Sequence, residues 1–506
     1  MSFLTLRVDA KTDDQQMELR DSSTGEDWRY GNGCFELQLY KRDAAPYTYA
    51  TGGTDGFTAG YKCSDSWREF LEIEYDSGSN KLTITRDGLA ALPLFYGVSG
   101  AKLVVSNQYH EVATQLDQLD IDKPTLYEGL LLHDIGRHTI FRQIRVLMAD
   151  EQLQWHDGQV TVEQIHQRCT DDAPDPKQFI GYLENTIETY LYEYSVSQVA
   201  VEASGGVDSS AVALVAHRLG AEPTTYSAEF SQEFQHSQLE KLQILWEHTG
   251  GSGLVAPLNM TDDYPLARFS GDQRSAPFYP FEDIYTEILD NIAIMAEEAG
   301  VTTIFTGVGG DELFESQTVE EELSEGATDK QRRLARQVPG FYTDEFKTEL
   351  QQSIQRRSDS VNSALPRAAR SAMFAHVSTN NVFIERGIWP VAPLADYELF
   401  AYTQQLPAIH KANKNILRVY LESIKAPQLL YNAPQNEHFG PILEQAMTGP
   451  LQPLLLKQAE TSKLISDGLV NQHQLMRGLN DSQSLRRDAI SYFVWLTSEY
   501  NLAAAE

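Results

Sequence analysis

The sequence is short of cysteine and of basic residues. Only three cysteines occur, Cys34, Cys63 and Cys169, and their spacing matches neither a disulfide framework nor a metal-binding pair, so we expect free thiols. The 40 lysines and arginines are outnumbered by 72 aspartates and glutamates, which gives a formal net charge of −32. Because nucleic-acid binding needs clustered positive charge, this balance argues against DNA or RNA as a partner. We interpret the excess of acid as a solvated surface.

Long apolar runs are also missing. No stretch reaches the length of a membrane span, and the N-terminus lacks the basic and then apolar pattern of a signal peptide. These absences predict a cytoplasmic protein that has no membrane partner. The length of 506 residues exceeds what one hydrophobic core usually holds, so two or three domains are expected.

The most informative stretch is residues 199–220. Residues 199–203 form a short apolar run typical of a buried strand, and residues 211–220 show helical periodicity that ends at a glycine. The glycine turn between them would expose backbone amides and a helix N-terminus, which together bind anions. The predicted phosphate ligands are Ser204, Gly205, Gly206, Asp208, Ser209 and Ser210, with Asp208 acting through magnesium. A Walker A loop has a longer glycine spacing and a lysine, and Ser-Gly-Gly alone also fits an ordinary strand-to-helix turn.

A second glycine turn follows the apolar run 301–306, which predicts another buried strand. Residues 225–230 predict a further strand, and the helical patterns between these strands indicate a parallel sheet covered by helices. Ligands of such sheets bind beyond the carboxyl ends of the strands, so we expect Asp208 and Asp311 to share Mg²⁺ on the phosphates of a nucleotide. Further predicted nucleotide contacts are Ser227, Thr306 and Gly307.

The N-terminal part has a different pattern. Residues 69–76 and 81–86 alternate in polarity around a Ser-Gly-Ser-Asn turn, which predicts a β-hairpin, and further short strands follow as far as Ser106. These strands indicate an antiparallel sheet domain. The polar, proline-broken stretch 171–176 is typical of a linker. We therefore predict one domain at residues 1–170 and a second at 177–506, whose C-terminal part is mostly helical.

Two motifs carry a resemblance to a known family. Ser204-Gly205-Gly206-Val207-Asp208-Ser209-Ser210 resembles the PP-loop of the ATP pyrophosphatases, and residues 307–314 resemble the second signature of the asparagine synthetases. The strand order of residues 70–106 is similar to the N-terminal glutaminase domain of asparagine synthetase B. Over residues 70–500 the resemblance implies an α/β protein, in which a degenerate Ntn-hydrolase-like antiparallel domain precedes a PP-loop parallel-sheet domain with a helical C-terminal part.

The resemblance also implies a reaction. A carboxylate attacks the α-phosphorus of ATP, which requires Mg²⁺ and releases pyrophosphate, and an amine then displaces AMP to form an amide. Lys414, which starts the basic segment Lys414–Arg418 of the family pattern, is expected near the phosphates. Glu385 is the leading candidate for activating the amine. Both are predicted catalytic residues.

The sequence departs from the family at several positions. The glutaminase requires a cysteine after the initiator methionine, and here Ser2 follows; the glutamine-holding Asn-Gly-Glu segment also has no counterpart between residues 3 and 70. In the second domain, Val308 stands for a Glu or Tyr, Asn436 for a Lys, and His236 for an acid. We expect the glutaminase activity to be lost, and these departures affect the amide-forming half more than ATP binding.

Relatives without a glutaminase take the amine from within the substrate, as do β-lactam synthetases and lasso peptide cyclases. By this resemblance we expect intramolecular amide formation in natural-product (antibiotic) biosynthesis, on a small-molecule or peptide carboxylate, with a precursor peptide or a protease as candidate partner. Two alternatives stay open: an ammonia-dependent asparagine synthetase-like enzyme, and a non-catalytic protein that only binds the nucleotide.

Overall fold

The computed structural model describes most of the chain. The described residues are 4–9, 18–21, 27–31, 35–40, 47–53, 56–62, 69–132, 137–165, 175–194, 197–229, 232–257, 263–269, 283–314, 338–358, 367–432 and 440–503.

The described part of the first 164 residues consists mainly of short strands whose side chains alternate between buried and exposed, as the hairpin at residues 70–86 illustrates. The strands are β1 Leu4–Asp9, β2 Glu18–Asp21, β3 Asp27–Gly31, β4 Phe35–Tyr40, β5 Tyr47–Gly53, β6 Gly56–Lys62, β7 Phe70–Asp76, β8 Lys81–Arg86, β9 Phe95–Ser99, β10 Lys102–Ser106, β11 Ile144–Val146, β12 Glu151–His156 and β13 Gln159–Gln164. Two helices separate β10 from β11, namely α1 Tyr109–Gln115 and α2 Lys123–Leu132.

These strands form two antiparallel sheets. Within the described residues their orders are β11-β9-β10-β1-β4-β3-β2 and β13-β12-β8-β7-β6-β5. Leu6 and Leu103 of the first sheet share one hydrophobic core with Ile73 and Ile84 of the second, so the two sheets pack face to face. The predicted β7–β8 hairpin is present, with Asp76 opposite Lys81. The prediction of an N-terminal antiparallel sheet region is confirmed.

A parallel sheet follows, built from strands that alternate with helices. Its elements in chain order are α3 Phe179–Glu193, β14 Gln198–Glu202, α4 Val207–Arg218, β15 Glu222–Glu229, α5 Gln232–Thr249, β16 Ser252–Pro257, α6 Thr286–Glu298, β17 Thr303–Phe305, α7 Gly310–Leu313, α8 Asp344–Ser358, α9 Arg367–Ile384 and β18 Trp389–Val391. The strand order is β16-β15-β14-β17-β18, and every pairing is parallel. The predicted parallel sheet with covering helices is therefore confirmed.

Strand β14 is buried on both faces. Val201 packs in the same core as Leu214 of α4, whereas Ala200 packs in the other core with Ile304 of β17 and Ile292 of α6. Alternate residues of the strand therefore face opposite helical layers, which is why the sequence reads as a continuous apolar run.

The strand order reverses at β14, the first strand of this sheet in the chain. The chain moves from β14 to β15 and β16 on one side, and later to β17 and β18 on the other. Loops after β14 and β17 therefore leave the sheet in opposite directions, and the crevice between them is where such sheets bind ligands.

The remaining described residues are mostly helical, as predicted. The helices are α10 Tyr397–Gln404, α11 Ala408–Lys411, α12 Asn415–Ser423, α13 Gln428–Tyr431, α14 Gly440–Thr448, α15 Gln452–Glu460, α16 Lys463–Ser466, α17 Gln472–Leu479, α18 Ser482–Arg487 and α19 Ala489–Ala503. Residues 492–502 of α19 are all buried, so this helix forms the centre of the C-terminal bundle. None of the described helices combines the length and the apolar character needed to cross a membrane.

Candidate functional site

The loop after β14 turns on two glycines. Gly205 has a φ of +80°, a left-handed conformation that glycine adopts without strain, and Gly206 is the N-cap of α4. The backbone N–H of Gly206 donates to Ser204 Oγ at 3.3 Å. The loop therefore leads directly into the N-terminus of a 12-residue helix, where unpaired amides and the helix dipole favour an anion.

The three serines of this loop have different environments. Ser209 Oγ lies 3.3 Å from the backbone nitrogen of Ser204 and 3.4 Å from Ser204 Oγ, so it closes the turn. Ser210 is fully buried, and within the described residues its hydroxyl has no hydrogen-bond partner. Ser204, which is only partly buried, is the loop serine that a ligand can reach most easily.

Ser227 of β15 has a structural contact. Its side chain is fully buried, and its hydroxyl donates to the backbone carbonyl of Ala203. The structure thus places this predicted nucleotide ligand beneath the glycine turn that follows β14, where it fixes the end of that strand.

The second glycine turn packs directly onto the first. A Cβ atom at Gly307 would lie 2.7 Å from the backbone nitrogen of Ser209, and one at Gly310 would lie 2.3 Å from Cγ of Asp208. Gly309 has a φ of +93°, which again requires glycine. Thr306 is buried beside this turn, and its Oγ1 accepts a hydrogen bond from the backbone N–H of Val308 at 3.4 Å. The two loops therefore touch at the point where the strand order reverses.

A lysine joins the two aspartates of these turns. Lys414 Nζ forms ion pairs with Asp208 Oδ2 and, at 2.6 Å, with Asp311 Oδ1. The side chains of Lys414 and Asp208 are 16% and 19% exposed, whereas that of Asp311 is 86% exposed. The structure brings together three residues that the sequence predicts for one site.

The charges of this cluster depend on one another. Burial raises the pKa of Asp208, and the nearby Lys414 offsets part of that rise. Burial alone would lower the pKa of Lys414, but the two carboxylates outweigh it and the pKa is raised. Asp208 Oδ1 is buried and has no hydrogen-bond partner among the described residues. Asp208 Oδ1 is therefore available as a ligand for a second cation.

Glu385 does not join this cluster. It follows the C-terminus of α9, whereas Ser371, near the start of the same helix, donates to Glu312 Oε1 at 3.1 Å, next to Asp311. A rise of 1.5 Å per residue puts Glu385 roughly 21 Å further along the helix. Its carboxylate accepts a hydrogen bond from Gln108 of the N-terminal region. Because Glu385 precedes β18, it lies at the amino end of the parallel strands, on the opposite edge of the sheet.

Three residues near the crevice were not predicted. Glu312 follows Asp311, and burial raises the pKa of its carboxyl. Lys241 of α5 is 4% exposed, and its Cβ lies 3.6 Å from where a Cβ of Gly205 would be. Glu202 ends β14, where a carboxylate in an apolar run was the signal that could have identified it.

Other predictions fall outside the described residues. Ser2, Asn436 and the side chain of His236 belong to this group, as does most of the predicted linker at 171–176. Within the described residues no group of three or more His, Cys, Asp or Glu side chains could form a metal centre. A metal bound by Asp208 and Asp311 would therefore take its remaining ligands from the nucleotide and water.

Comparison with known proteins identifies a family. The family model "Asparagine synthase" matches residues 194–504, which is more than half of the chain. No curated protein matches.

Two solved structures are similar to the chain only at a low level. The allosteric regulatory enzyme of purine biosynthesis is 10% identical over 60% of this chain and 83% of its own, with a TM-score of 0.19. The glutamine phosphoribosylpyrophosphate amidotransferase from B. subtilis, complexed with ADP and GMP, is 12% identical over 72% and 89%, with a TM-score of 0.20. Scores this low support no conclusion. The family match instead covers the parallel sheet, both glycine turns and the C-terminal helices, and the chain belongs to the asparagine synthase family.

Proposed function

We propose that this ATP-dependent, amide-forming ligase activates a carboxylate as an acyl-adenylate, releases pyrophosphate, and then transfers the acyl group to an amine with release of AMP. The observation that carries the proposal is the cluster of Asp208, Lys414 and Asp311 above the glycine turns. These acidic and basic side chains meet at the carboxyl ends of the neighbouring parallel strands β14 and β17, where a nucleotide is expected.

The chain's own residues account for the binding of the leaving group. The N-terminus of α4, which follows the Gly205 turn, offers unpaired backbone amides to an anion. Lys414 adds a positive charge at the same place, where Asp208 and Asp311 hold it until a metal ion takes its position. Preorganised donors of this kind stabilise the charge that develops on pyrophosphate as the bond to the α-phosphorus breaks.

The donor set fits Mg²⁺. Asp208 and Asp311 supply the hard oxygen ligands that this ion prefers, they already share one cation, and Asp208 Oδ1 has no other partner among the described residues. These two residues would hold the ion, which when bound neutralises charge on the phosphates. Lys414 would then turn toward the nucleotide.

The amine is proposed to come from within the substrate. The sequence supports this by its departures from the glutaminase pattern at Ser2 and in residues 3–70. We accordingly propose that residues 1–170 form a degenerate Ntn-hydrolase-like domain and that residues 177–506 form a PP-loop ligase domain. The same proposal includes a cytoplasmic location and a small-molecule or peptide carboxylate substrate from natural-product biosynthesis, with a precursor peptide or a protease as candidate partner.

The test is to identify the products formed from ATP. The protein is incubated with ATP, Mg²⁺, hydroxylamine and each member of a carboxylate panel: the twenty amino acids, N-carboxyalkyl amino acids, and synthetic peptides with a free Asp or Glu side chain. At least one carboxylate should yield AMP, pyrophosphate and a hydroxamate in equal amounts. Asp311→Asn should abolish all three, and Asp344→Asn, at a fully exposed position, should change none. Release of ADP and phosphate would contradict the proposal.

A further inference from the structure

Glu202 is a carboxylate at the end of an apolar strand. It is the last residue of β14, whose sequence is Gln-Val-Ala-Val-Glu, and it pairs with Tyr226 of β15. Ser204, the first residue of the phosphate loop, follows two positions later. The Glu202 side chain therefore lies at the edge of the sheet where the nucleotide is expected.

The pleat of β14 fixes the face on which Glu202 lies. Ala200, two positions earlier, packs with Tyr226 and Ile304 in the core that includes α6, whereas Val199 and Val201 pack on the α4 side. Because side chains alternate along a strand, Glu202 points to the α6 side. The phosphate loop and α4 thus bind the nucleotide from one side, and Glu202 lies on the other.

The start of α6 lies at the same edge of the parallel sheet as Glu202. The pKa of Tyr285, which precedes this helix, is raised by burial and then by the carboxylates of Asp283 and Asp311. The hydroxyl of Ser378 donates to Asp283 Oδ2 at 3.4 Å, so α9 also contacts this region. Helices α6 and α9 therefore meet in the core that lies on the face of the sheet to which Glu202 points.

The carboxylate of Glu202 has no partner within the part of the chain that the structure describes. Within the described residues it forms no hydrogen bond or ion pair, although it is partly buried. Burial raises the pKa of Glu202 to about 7, with no neighbouring charge contributing. Its oxygens are not among the fully buried polar atoms, so a ligand at this edge can reach the carboxylate and supply a hydrogen-bond donor.

We propose that Glu202 binds the ammonium group of the amine substrate and removes its proton. This inference rests on the ligase reaction proposed above, and it names the residue that activates the amine. Glu385, the candidate from sequence, lies at the opposite edge of the sheet.

One proton moves from the ammonium nitrogen to a carboxylate oxygen of Glu202, which leaves a neutral amine. The nitrogen lone pair attacks the carbonyl carbon of the acyl-adenylate, a C–N bond forms, and the C–O bond to AMP breaks with its electron pair going to AMP. The second proton leaves the nitrogen for solvent as the amide forms. A base whose pKa lies near the operating pH is effective in such a step.

Two nucleophiles distinguish removal of a proton from the amine by Glu202 from a role of Glu202 in forming the acyl-adenylate. Hydroxylamine is neutral at pH 7.5 and reacts with an acyl-adenylate unaided, whereas methylamine is protonated and must first lose a proton. Each carboxylate that gives a hydroxamate with the wild-type protein is assayed with both. Glu202→Gln should form hydroxamate within about twofold of wild type and N-methylamide at least about 100-fold more slowly. Glu202→Asp should recover part of the methylamide rate.

The matched control is Glu222→Gln. Glu222 is exposed and begins β15, at the amino end of the sheet, so the same chemical change there should alter neither product. Retained hydroxamate formation also shows that a variant is folded.

Every other outcome counts against the proposal. Unchanged methylamide formation in Glu202→Gln would overturn it, and so would an equal loss of both products, which would make Glu202 part of adenylation or of the fold. A wild-type protein that makes hydroxamate but no methylamide would show that the site does not accept a protonated amine. If the wild-type protein forms no pyrophosphate with any carboxylate, the proposed ligase reaction itself fails, and this result is distinct from the others.

Discussion

Gly310 of the second turn lies directly against Asp208 of the first, so closely that a Cβ atom at Gly310 would be 2.3 Å from Asp208 Cγ. This contact sets the spacing between the two glycine turns. Asp311, the next residue, then meets Lys414 together with Asp208. The position of both carboxylates therefore depends on the absence of a side chain at residue 310.

Replacing Gly310 by alanine should displace Asp208. The added methyl group has no space, since its neighbours are the Cβ, Cγ and Oδ1 atoms of Asp208 at 2.3–2.6 Å. We expect a loss of about 1–3 kcal/mol in the free energy of unfolding and a fall in pyrophosphate release of about 100-fold. Thermal unfolding and a pyrophosphate assay measure the two effects.

Gly340→Ala is the control for this substitution. A Cβ at Gly340 would have no heavy atom within 4 Å, so the same chemical change should leave stability and activity near their wild-type values. Wild-type pyrophosphate release by Gly310→Ala would show that the contact between the two turns does not position the site.

We expect the ammonium group of Lys414 to occupy the position between Asp208 and Asp311 that a metal ion would take. Lys414→Met leaves Asp208 and Asp311 without their shared cation, which we expect to cost about 2 kcal/mol because the pair is only partly buried. Added Mg²⁺ should then raise the unfolding temperature of the variant more than that of the wild-type protein, since the ion no longer competes with a lysine. Calorimetry with and without Mg²⁺, in the absence of nucleotide, measures this difference.

The variant Lys347→Met, measured with and without Mg²⁺ in the same buffer, is the control. Lys347 pairs with the fully exposed Asp344, so its removal should have little effect and should not change the response to Mg²⁺. An identical Mg²⁺ response in all three proteins would mean that Asp208 and Asp311 do not form a metal site.

The glycine turns and their place in the sheet could be predicted because their signals are local. A strand of five residues, a glycine with positive φ and a helix N-terminus lie within one short stretch, and the parallel order follows from the alternation of strands and helices. The sequence pattern placed the helix at Ala211, whereas α4 begins at Val207. The first turn is polar because Asp208 and Ser209 face the site, so apolar periodicity could not show it.

Contacts between distant segments were harder to predict. Lys414 reaches Asp208 across 206 positions of sequence, and it does so from a left-handed backbone conformation with a φ of +57°. Glu385 is the candidate that the sequence offers for activating the amine, but the length and direction of α9 carry it to the other edge of the sheet. Ser227 lies on the predicted strand, but its hydroxyl donates to the backbone carbonyl of Ala203 and is not directed to a nucleotide. These side-chain positions depend on how distant segments pack together, and a single sequence does not reveal that packing.

The stability of the protein should depend on Glu202 in a defined pH range. Its pKa is raised from 4.5 to about 7 by burial, so the folded state holds this proton more tightly than the unfolded state does. The stabilisation is fully present below pH 4.5 and is lost as the pH rises through 7. Glu202→Gln should therefore match the wild-type protein near pH 4.5 and be more stable at pH 8, by at most about 3 kcal/mol.

Unfolding curves of both proteins at a series of pH values test this prediction. Glu222→Gln again serves as the control, because the exposed Glu222 should give no pH-dependent difference. A difference between Glu202→Gln and wild type that does not vary with pH would show that the Glu202 carboxyl is not held in an unfavourable environment.

Glu385 should contribute to packing and not to chemistry. Its carboxylate accepts a hydrogen bond from Gln108, burial raises its pKa, and it lies on the edge of the sheet away from Lys414. Glu385→Gln should therefore keep hydroxamate and methylamide formation within about threefold of wild type, since an effect on chemistry would require contact with the reacting groups. A double-mutant cycle with Gln108→Ala and Glu385→Ala should give a coupling of about 1 kcal/mol in unfolding free energy. If Glu385→Gln instead lost methylamide formation selectively while remaining as stable as wild type, Glu385 would have to reach the acyl-adenylate, and the arrangement of α9 along the sheet could not be that of the active protein.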